Sequence, residues 1–175
     1  MVLRDFLLMT WSYRSASRRR LPSDFAMTAV LVRHPRGDVL IDAGFSRDVD
    51  AHLALMPLPF RATTSWARGR AAAQQLTSAG YDLKQLRAIL LTHAHWDHAS
   101  GLADFPDTPV WVTADEHRFI REGGVLTAVA RLTADARYQD YAFEGGPYLG
   151  FRRATTCTAT ARSWWCRHPA TPRAR

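Results

Sequence analysis

The sequence predicts a protein of the α/β class. Short apolar segments typical of buried strands alternate with segments rich in helix-forming residues. A hairpin pattern precedes these segments, and a cluster of histidine and aspartate directly follows the most apolar strand. A length of 175 residues suits a single domain with a sizeable core.

The first predicted elements are the two strands of a hairpin. Two apolar runs, Ala29–Val32 and Val39–Ile41, flank the turn sequence PRGD. The second run ends at Asp42, and Gly44 then permits a sharp exit from the strand.

Further strands and helices are predicted along the body of the chain. Residues 53–66 carry two prolines and many apolar side chains without a clear period, which indicates a loop or short helical pieces. The stretch ARGRAAAQQLTSAG predicts a helix that ends at Gly80, and DLKQL predicts a further helical turn. RAILLTH and PVWVT predict two short buried strands. TADEHRFIRE predicts a helix, in which Thr113 and Glu116 match a capping box.

The positive charge of the chain is concentrated at its C-terminal end. The formal net charge is +7, but residues 152–175 hold six arginines and no acidic residue. Residues 1–151 therefore contain 17 of the 23 basic residues and all 16 acidic ones, a net charge of +1. Nucleic-acid binding needs a basic stripe on the folded body, so no nucleic-acid partner is expected. Residues 152–175 also lack helical or strand periodicity, which predicts a disordered basic tail.

Residues 1–25 are predicted to be a solvated N-terminal leader. Their apolar run, FLLM, is too short for a secretory signal or for a membrane-spanning helix of about 20 residues. Both cysteines, Cys157 and Cys166, lie in the tail, so the body has no disulfide framework. These features predict a cytoplasmic protein with no membrane partner.

A metal site is predicted where the apolar strand ends. His93, His95, Asp97 and His98 fall within six positions, shortly before Gly101. Closely spaced side chains can converge where a chain leaves a strand, and imidazole nitrogens and carboxylate oxygens are ligands of Zn²⁺. Isolated histidines are more often polar loop residues, and this is our interpretation of the others in the body: His34, His52 and His117.

The spacing His-x-His-x-Asp-His resembles the signature of the metallo-β-lactamase superfamily of metallohydrolases. DVLIDAG resembles an early strand of that family, and LRAILLTHAHWDHASGL resembles its metal-binding segment. The resemblance covers residues 26–151 and is specific for the superfamily rather than for a substrate. It implies that these residues form the N-terminal half of a four-layer αββα sandwich, an α/β fold with the metal site at its edge.

The resemblance also implies a binuclear zinc site and its chemistry. His93 and His95 would bind the first Zn²⁺, and Asp97 and His98 the second. A water that bridges two metals becomes hydroxide near neutral pH, and that hydroxide would attack the carbonyl of a small substrate. A lactone or another ester is favoured, with a glyoxalase-type thioesterase as the alternative. Asp97 would also carry a proton to the departing atom.

Two further residues and one segment are interpreted through the same resemblance. Asp42 matches an aspartate that lies beside the ligands in the family, which implies that it orients them; the alternative is a simple turn residue at the strand end. Trp96 either lines the substrate pocket or packs in the core. Residues 53–66 form either an apolar lid for acyl-bearing substrates or a surface packed on the core or on a partner subunit.

The later metal ligands of the family are not found in frame. A third histidine for the first metal usually stands in a Gly-His-Thr-Pro-Gly stretch, and the surroundings of His168 do not fit it. The codons of residues 163–174, read in a shifted frame, are compatible with four apolar residues followed by Gly-His-Thr-Pro-Gly. We therefore interpret residues 152–175 as an out-of-frame tail, with the frame slipping between about Gly150 and Arg153.

A truncated or frameshifted family member carries two expectations of its own. The alternative to an active enzyme is a catalytically inactive remnant that lacks the later ligands and holds at most one metal loosely. A sandwich without its second half also exposes a sheet face. The chain is therefore expected to form a homo-oligomer or to aggregate through that face.

Overall fold

The computed structural model describes residues 4–15, 24–66, 69–134, 137–147, 153–156 and 165–167. The chain divides into two compact units, one of residues 3–140 and another that contains residues 141–175. The first unit carries the predicted metal-binding motif, and its helices pack on a mixed sheet. The α/β class predicted from the sequence is confirmed.

A seven-stranded sheet organises the described structure. Its strands are β1 (Arg4–Ser15), β2 (Asp24–Arg33), β3 (Asp38–Ile41), β4 (Thr64–Trp66), β5 (Leu86–Leu90), β6 (Val110–Thr113) and β7 (Tyr138–Tyr141). They lie in the order β4-β1-β2-β3-β5-β6-β7. The β4-β1-β2-β3 pairs are antiparallel, whereas β3-β5-β6 are parallel. The carboxyl ends of β3 and β5 therefore meet at one edge of the sheet, where Ile41 is in register with Leu90.

Short helices connect and cover these strands. They are α1 (Val49–Ala54), α2 (Leu58–Thr63), α3 (Ala72–Ser78), α4 (Trp96–Ala99), α5 (Ala114–Glu122) and α6 (Ala128–Ala134). Among the described residues, 3₁₀ turns also form at Leu83–Gln85, Ser100–Asp104 and Gly124–Thr127. Within the described ranges, no helix has the length and apolar character needed to cross a bilayer.

Most local predictions match the observed elements. The predicted hairpin is formed by β2 and β3, with Leu31 opposite Leu40. The two predicted buried strands are β5 and β6, and the predicted helices are α3 and α5. Residues 53–66 contain short helical pieces, as expected, but they end in strand β4.

The predicted leader, residues 1–25, contains a strand in the part that the structure describes. Residues 4–15 form β1, which pairs with β2 over most of its length and with β4 at its end. In the sequence, large apolar or aromatic residues recur at Leu7, Met9, Trp11 and Tyr13, a period of two that is typical of a strand. In the run FLLM, Phe6 and Leu8 make the intervening positions apolar as well, so the alternation is hidden there.

The predicted irregular tail also contains regular structure. Two short strands, β8 (Ala154–Thr156) and β9 (Trp165–Arg167), pair in an antiparallel ladder. In these two segments of the predicted tail, backbone pairing forms without an apolar period. The interpretation of the tail as out of frame stays a prediction, and Cys157 and His168 lie outside the described residues.

Two apolar clusters pack against the sheet. The larger one contains fully buried side chains from β3, β5 and β6 and from the helices that cover them, among them Leu40, Ile89, Val110, Leu102 and Ile120. The smaller cluster joins α1 to the motif segment through residues that include Phe45, Val49, Leu53 and Trp96. The segment after β5 runs between the two clusters and contributes to both, which fixes its path.

Candidate metal centre

The apolar residues of the motif segment anchor it to the core. Leu91, Ala94 and Ala99 belong to the larger cluster, and each is at most 1% exposed. Trp96 packs in the smaller cluster, with its ring centre 4.8 Å from that of Phe45. The histidines and the aspartate between these anchors remain partly or fully exposed. The alternation of buried and exposed positions thus presents ligand-type side chains on one side of a fixed segment.

Three of the four predicted ligands converge. Ligand-type atoms of His93, Asp97 and His98 all lie within 4.8 Å of one another. The ring centres of His93 and His98 are 4.0 Å apart, and His98 Nε2 lies 3.7 Å from an Asp97 carboxylate oxygen. His95 is exposed and lies outside this group, although its ring centre is 4.8 Å from that of His93.

Asp42 lies directly behind His98. One of its carboxylate oxygens is 2.8 Å from His98 Nδ1, and the other accepts the Thr92 backbone N–H at 2.8 Å. The Thr92 hydroxyl contacts both oxygens, at 2.9 and 2.7 Å. The parallel pairing of β3 and β5 produces this contact, because it places the residues that follow the two strands side by side. When Nδ1 of His98 carries the proton shared with Asp42, Nε2 is left available as a ligand.

The surroundings shift the pKa values of His93 and His98 in opposite directions. Burial lowers the pKa of His93, and the nearby His98 and His95 lower it further. Burial also opposes protonation of His98, but its hydrogen bond to Asp42 and the charges of Asp42 and Asp97 prevail, so the pKa of His98 is raised. A neutral His93 is the form that binds metals, whereas His98 is held by Asp42 at Nδ1 and can bind a cation through Nε2.

The donor set fits a divalent cation such as zinc. Two imidazoles and one carboxylate supply three protein ligands, the number found in catalytic zinc sites. The contact from Asp42 to the non-liganding nitrogen of His98 is the usual support of a metal-bound histidine. The residues present therefore fit the metal that the motif predicts.

Comparison with known protein families shows to which family the chain belongs. The model of a family described as the metallo-beta-lactamase superfamily matches residues 24–149. The chain belongs to the metallo-β-lactamase superfamily. The match includes the hairpin, the motif segment and α5, so the resemblance drawn from the motif is confirmed.

Two curated relatives of this superfamily member come from mycobacteria. Both are described as probable metallo-hydrolases, one from Mycobacterium bovis and one from Mycobacterium tuberculosis. Each is 36% identical over 122 residues, which is 69% of this chain. The chain spans 37% of the length of these relatives.

Solved structures share the fold at low sequence identity. An N-acyl homoserine lactone hydrolase, solved with its product at the catalytic metal centre, superposes with a TM-score of 0.60 at 17% identity. The match covers 85% of this chain and 63% of that protein. A probable metal-dependent hydrolase from Staphylococcus aureus gives a TM-score of 0.57 at 15% identity, covering 86% and 64% of the two chains. These similarities establish the fold of the superfamily member, not its substrate.

Backbone contacts join the loop after β3 to the motif segment. The Ala43 N–H donates to the carbonyl of His98 at 3.1 Å, and the Gly101 N–H donates to the carbonyl of Gly44 at 2.7 Å. A Cβ atom on Gly101 would lie 2.1 Å from the Ala43 carbonyl oxygen. This superfamily member therefore needs glycine at position 101 for the two segments to approach.

A buried polar network reinforces the same junction. Ser100 Oγ accepts the Ser46 N–H at 3.0 Å and lies 2.8 Å from His52 Nδ1. Asp104 binds the Ser46 hydroxyl at 3.2 Å and Arg47 Nε at 2.9 Å. The interpretation of His52 as a polar loop residue is wrong, because it lies on α1 and is only 7% exposed.

Sequence reasoning missed several residues that support the site. Each of these residues forms a hydrogen bond with a residue at least 22 positions away in the chain. The pairs are Thr92 with Asp42, Ser100 with Ser46, and Glu116 with Ala94. The sequence signal for Thr92 was its position next to His93, but no local pattern indicated the partners of the other two. Of the other isolated histidines, His34 Nδ1 accepts the Arg36 N–H within a turn. His117 lies on α5 and pairs with Asp140, so the interpretation as a loop residue is wrong for His117 as well.

Proposed function

We propose that this chain forms the metal-binding part of a hydrolase that opens lactones or other small esters. The convergence of His93, Asp97 and His98, with Asp42 behind His98, carries the proposal. The structural similarity to an N-acyl homoserine lactone hydrolase supports a lactone as the substrate class. The three convergent side chains are also partly exposed, and a small molecule needs this exposure to reach them.

Each residue of the site has a distinct task in the proposed reaction. His93, Asp97 and His98, which converge in the structure, would hold a metal. In the binuclear arrangement that the motif implies, His95 would join His93 on the first metal, and Asp97 and His98 would bind the second. A bound zinc ion would supply Lewis acidity for water activation and carbonyl polarisation. Asp42 holds His98 in one orientation through Nδ1. The Asp97 carboxylate, which is partly exposed, would carry a proton to the departing oxygen.

Binding of one metal without hydrolysis is the second candidate. Within the part of the chain that the structure describes, one group of three ligand-type side chains converges, which provides for one metal rather than two. Such a chain would keep the metal site and lack the activity. The two candidates differ in zinc stoichiometry and in turnover.

Zinc content and lactone opening together test the proposal. Zinc per chain should be measured in the purified 175-residue protein, in His93→Ala, and in His34→Ala as a control on a turn away from the site. Hydrolysis of an N-acyl homoserine lactone should be followed by acid release, with a glutathione thioester as the comparison substrate.

We expect zinc binding and lactone opening in the wild-type protein and the His34→Ala variant, with both lost in His93→Ala. Zinc without turnover would support the second candidate, and faster thioester cleavage would favour the glyoxalase-type alternative. Equal zinc in the wild-type protein and His93→Ala would show that the motif does not hold the metal.

A further inference from the structure

We propose that Glu116 is a positioning residue, which fixes the turn His93-Ala94-His95 through a bond to the peptide between the two histidines. This inference rests on the proposed metal-binding function, because its consequence is the placement of metal ligands. It assigns a role to helix α5, which carries none of the predicted ligands.

The bond lies where the sheet no longer supports the chain. The last backbone bond from this segment to β6 runs from the Leu91 N–H to the carbonyl of Trp111, at 3.0 Å. Three residues later, the Ala94 N–H donates to Glu116 Oε1 at 2.7 Å. Ala94 is fully buried, so its amide depends on a protein acceptor rather than on bulk water. The Glu116 carboxylate takes the place of a strand partner.

Glu116 reaches this amide instead of completing the predicted capping box. The Thr113 hydroxyl accepts the Glu116 N–H at 3.2 Å, which is one half of that motif. In the other half, the glutamate side chain would turn back to the N-terminal end of its own helix. Here the side chain extends to the motif segment, 22 residues earlier in the chain. Its negative charge still lies in the first turn of α5, where the helix dipole favours it.

A second residue on the same face of α5 contacts the turn. Phe119 follows Glu116 by three positions, so both side chains lie on one side of the helix. Its ring centre is 6.3 Å from that of His95, in an edge-to-face arrangement. One helix thus holds both the peptide and the imidazole of this turn. The position of α5 therefore sets the separation between His95 and His93.

The physical consequence follows from the cost of leaving a buried amide without an acceptor. Removal of the carboxylate would favour a rotated peptide that can find another partner. Rotation of this peptide moves the side chains on both sides of it. Loss of a contact that supports metal ligands typically weakens metal binding by about 10- to 100-fold.

Three variants of the full chain test the role of Glu116. Glu116→Ala removes the acceptor, whereas Glu116→Gln keeps an oxygen that can accept the Ala94 N–H. Asp115→Ala removes the neighbouring acidic residue, which is exposed and pairs with Arg118, and serves as the matched control. Two quantities should be measured: zinc affinity by competition with a chelator, and hydrogen exchange of the Ala94 amide in metal-free protein.

We expect Glu116→Ala to bind zinc about 10- to 100-fold more weakly than the wild-type protein and to exchange the Ala94 amide faster. Glu116→Gln and Asp115→Ala should remain close to the wild-type protein in both measurements. Unchanged exchange of the Ala94 amide in Glu116→Ala would overturn the proposal, as would unchanged zinc affinity. If the wild-type protein binds no zinc, the proposed function fails, and amide exchange alone then decides whether Glu116 fixes the turn.

Discussion

Asp42 combines an uncommon backbone conformation with three side-chain contacts. Its φ angle is 56°, in the left-handed region that few residues other than glycine, asparagine and aspartate adopt. Strained residues of this kind are often found at functional sites, where the surrounding bonds hold them in place. Here those bonds come from the backbone N–H and the hydroxyl of Thr92 and from the imidazole of His98. At this residue, the same geometry ends a strand and supports a ligand.

Replacement of Asp42 should separate these two properties. Asp42→Asn and Asp42→Ala both remove the charge beside His98, and we expect zinc affinity to fall about 10- to 100-fold in each. Asparagine tolerates a positive φ, whereas alanine adds a backbone cost of about 1 kcal/mol. Urea unfolding of the metal-free proteins should therefore show a lower stability for Asp42→Ala than for Asp42→Asn. Zinc affinity equal to that of the wild-type protein in both variants would contradict a supporting role.

His52 should make the stability of the protein depend on pH. Burial lowers the pKa of His52, although the charges of Asp48 and Asp104 oppose this effect. The unfolded chain therefore binds a proton more readily than the folded one. The stabilisation is complete above the unfolded pKa of about 6.5 and is lost as the pH falls below it. Neutral Nδ1 can accept the hydroxyl proton of Ser100, which lies 2.8 Å away.

The variant His52→Gln should remove this contribution. We expect its free energy of unfolding to fall less steeply than that of the wild-type protein as the pH decreases from about 7 to about 5. Urea unfolding at a series of pH values provides the measurement, with His34→Gln as the control in an exposed turn. An identical pH dependence in the wild-type protein and His52→Gln would argue against a buried neutral imidazole.

At the scale of the elements, α4 and the 3₁₀ turn after it are held against the loop that follows β3. The contact depends on two backbone bonds and on the absence of a side chain at Gly101. Since the obstructing atoms belong to the Ala43 backbone, rotation of a side chain cannot relieve an added methyl group. The helix that carries Asp97 and His98 is thus positioned by close backbone packing.

The substitution Gly101→Ala should therefore disrupt both folding and the site. We expect a loss of about 1–3 kcal/mol in the free energy of unfolding, as for other overpacked cores, together with weaker zinc binding. Gly146→Ala is the matched control, because no atom of the described residues lies within 4 Å of the added Cβ there. Urea unfolding and chelator competition give the two quantities. A Gly101→Ala protein as stable as the control would show that the two segments can separate without cost.

At the scale of the whole molecule, local sequence patterns predict the structural features that are formed by residues close together in the chain. The β2–β3 hairpin and the spacing from His93 to His98 are such features, and the sequence predicts both. The contacts of Glu116, Ser100 and Asp42 join residues separated by 22, 54 and 56 positions. No periodicity encodes such pairings, because they arise only when the parallel strands align. The place of Asp42 beside the ligands is implied by the family resemblance and not by a local pattern. The strand β1 is not predicted for a different reason, since the apolar run FLLM hides its alternating pattern.

The interpretation of residues 152–175 as out of frame also belongs to this scale. It accounts together for the six arginines, the isolated cysteines and the lost periodicity of that segment. The nucleotides that encode residues 150–175 should then contain, in the shifted frame, a histidine codon within a Gly-His-Thr-Pro-Gly stretch. A stop codon in that frame, or the absence of the histidine codon, would refute the interpretation.

The contact between Asp42 and His98 has a consequence for the order of assembly. The two residues are 56 positions apart, so a nascent chain exposes the aspartate long before the histidine emerges. Closing a loop of this length costs conformational entropy, which the pairing of β3 with β5 must first offset. A cation would therefore gain the support of Asp42 only after the sheet has formed. Metal binding would stabilise the sheet after it has folded and would not initiate its folding. A peptide containing only residues 86–104 would therefore bind zinc weakly.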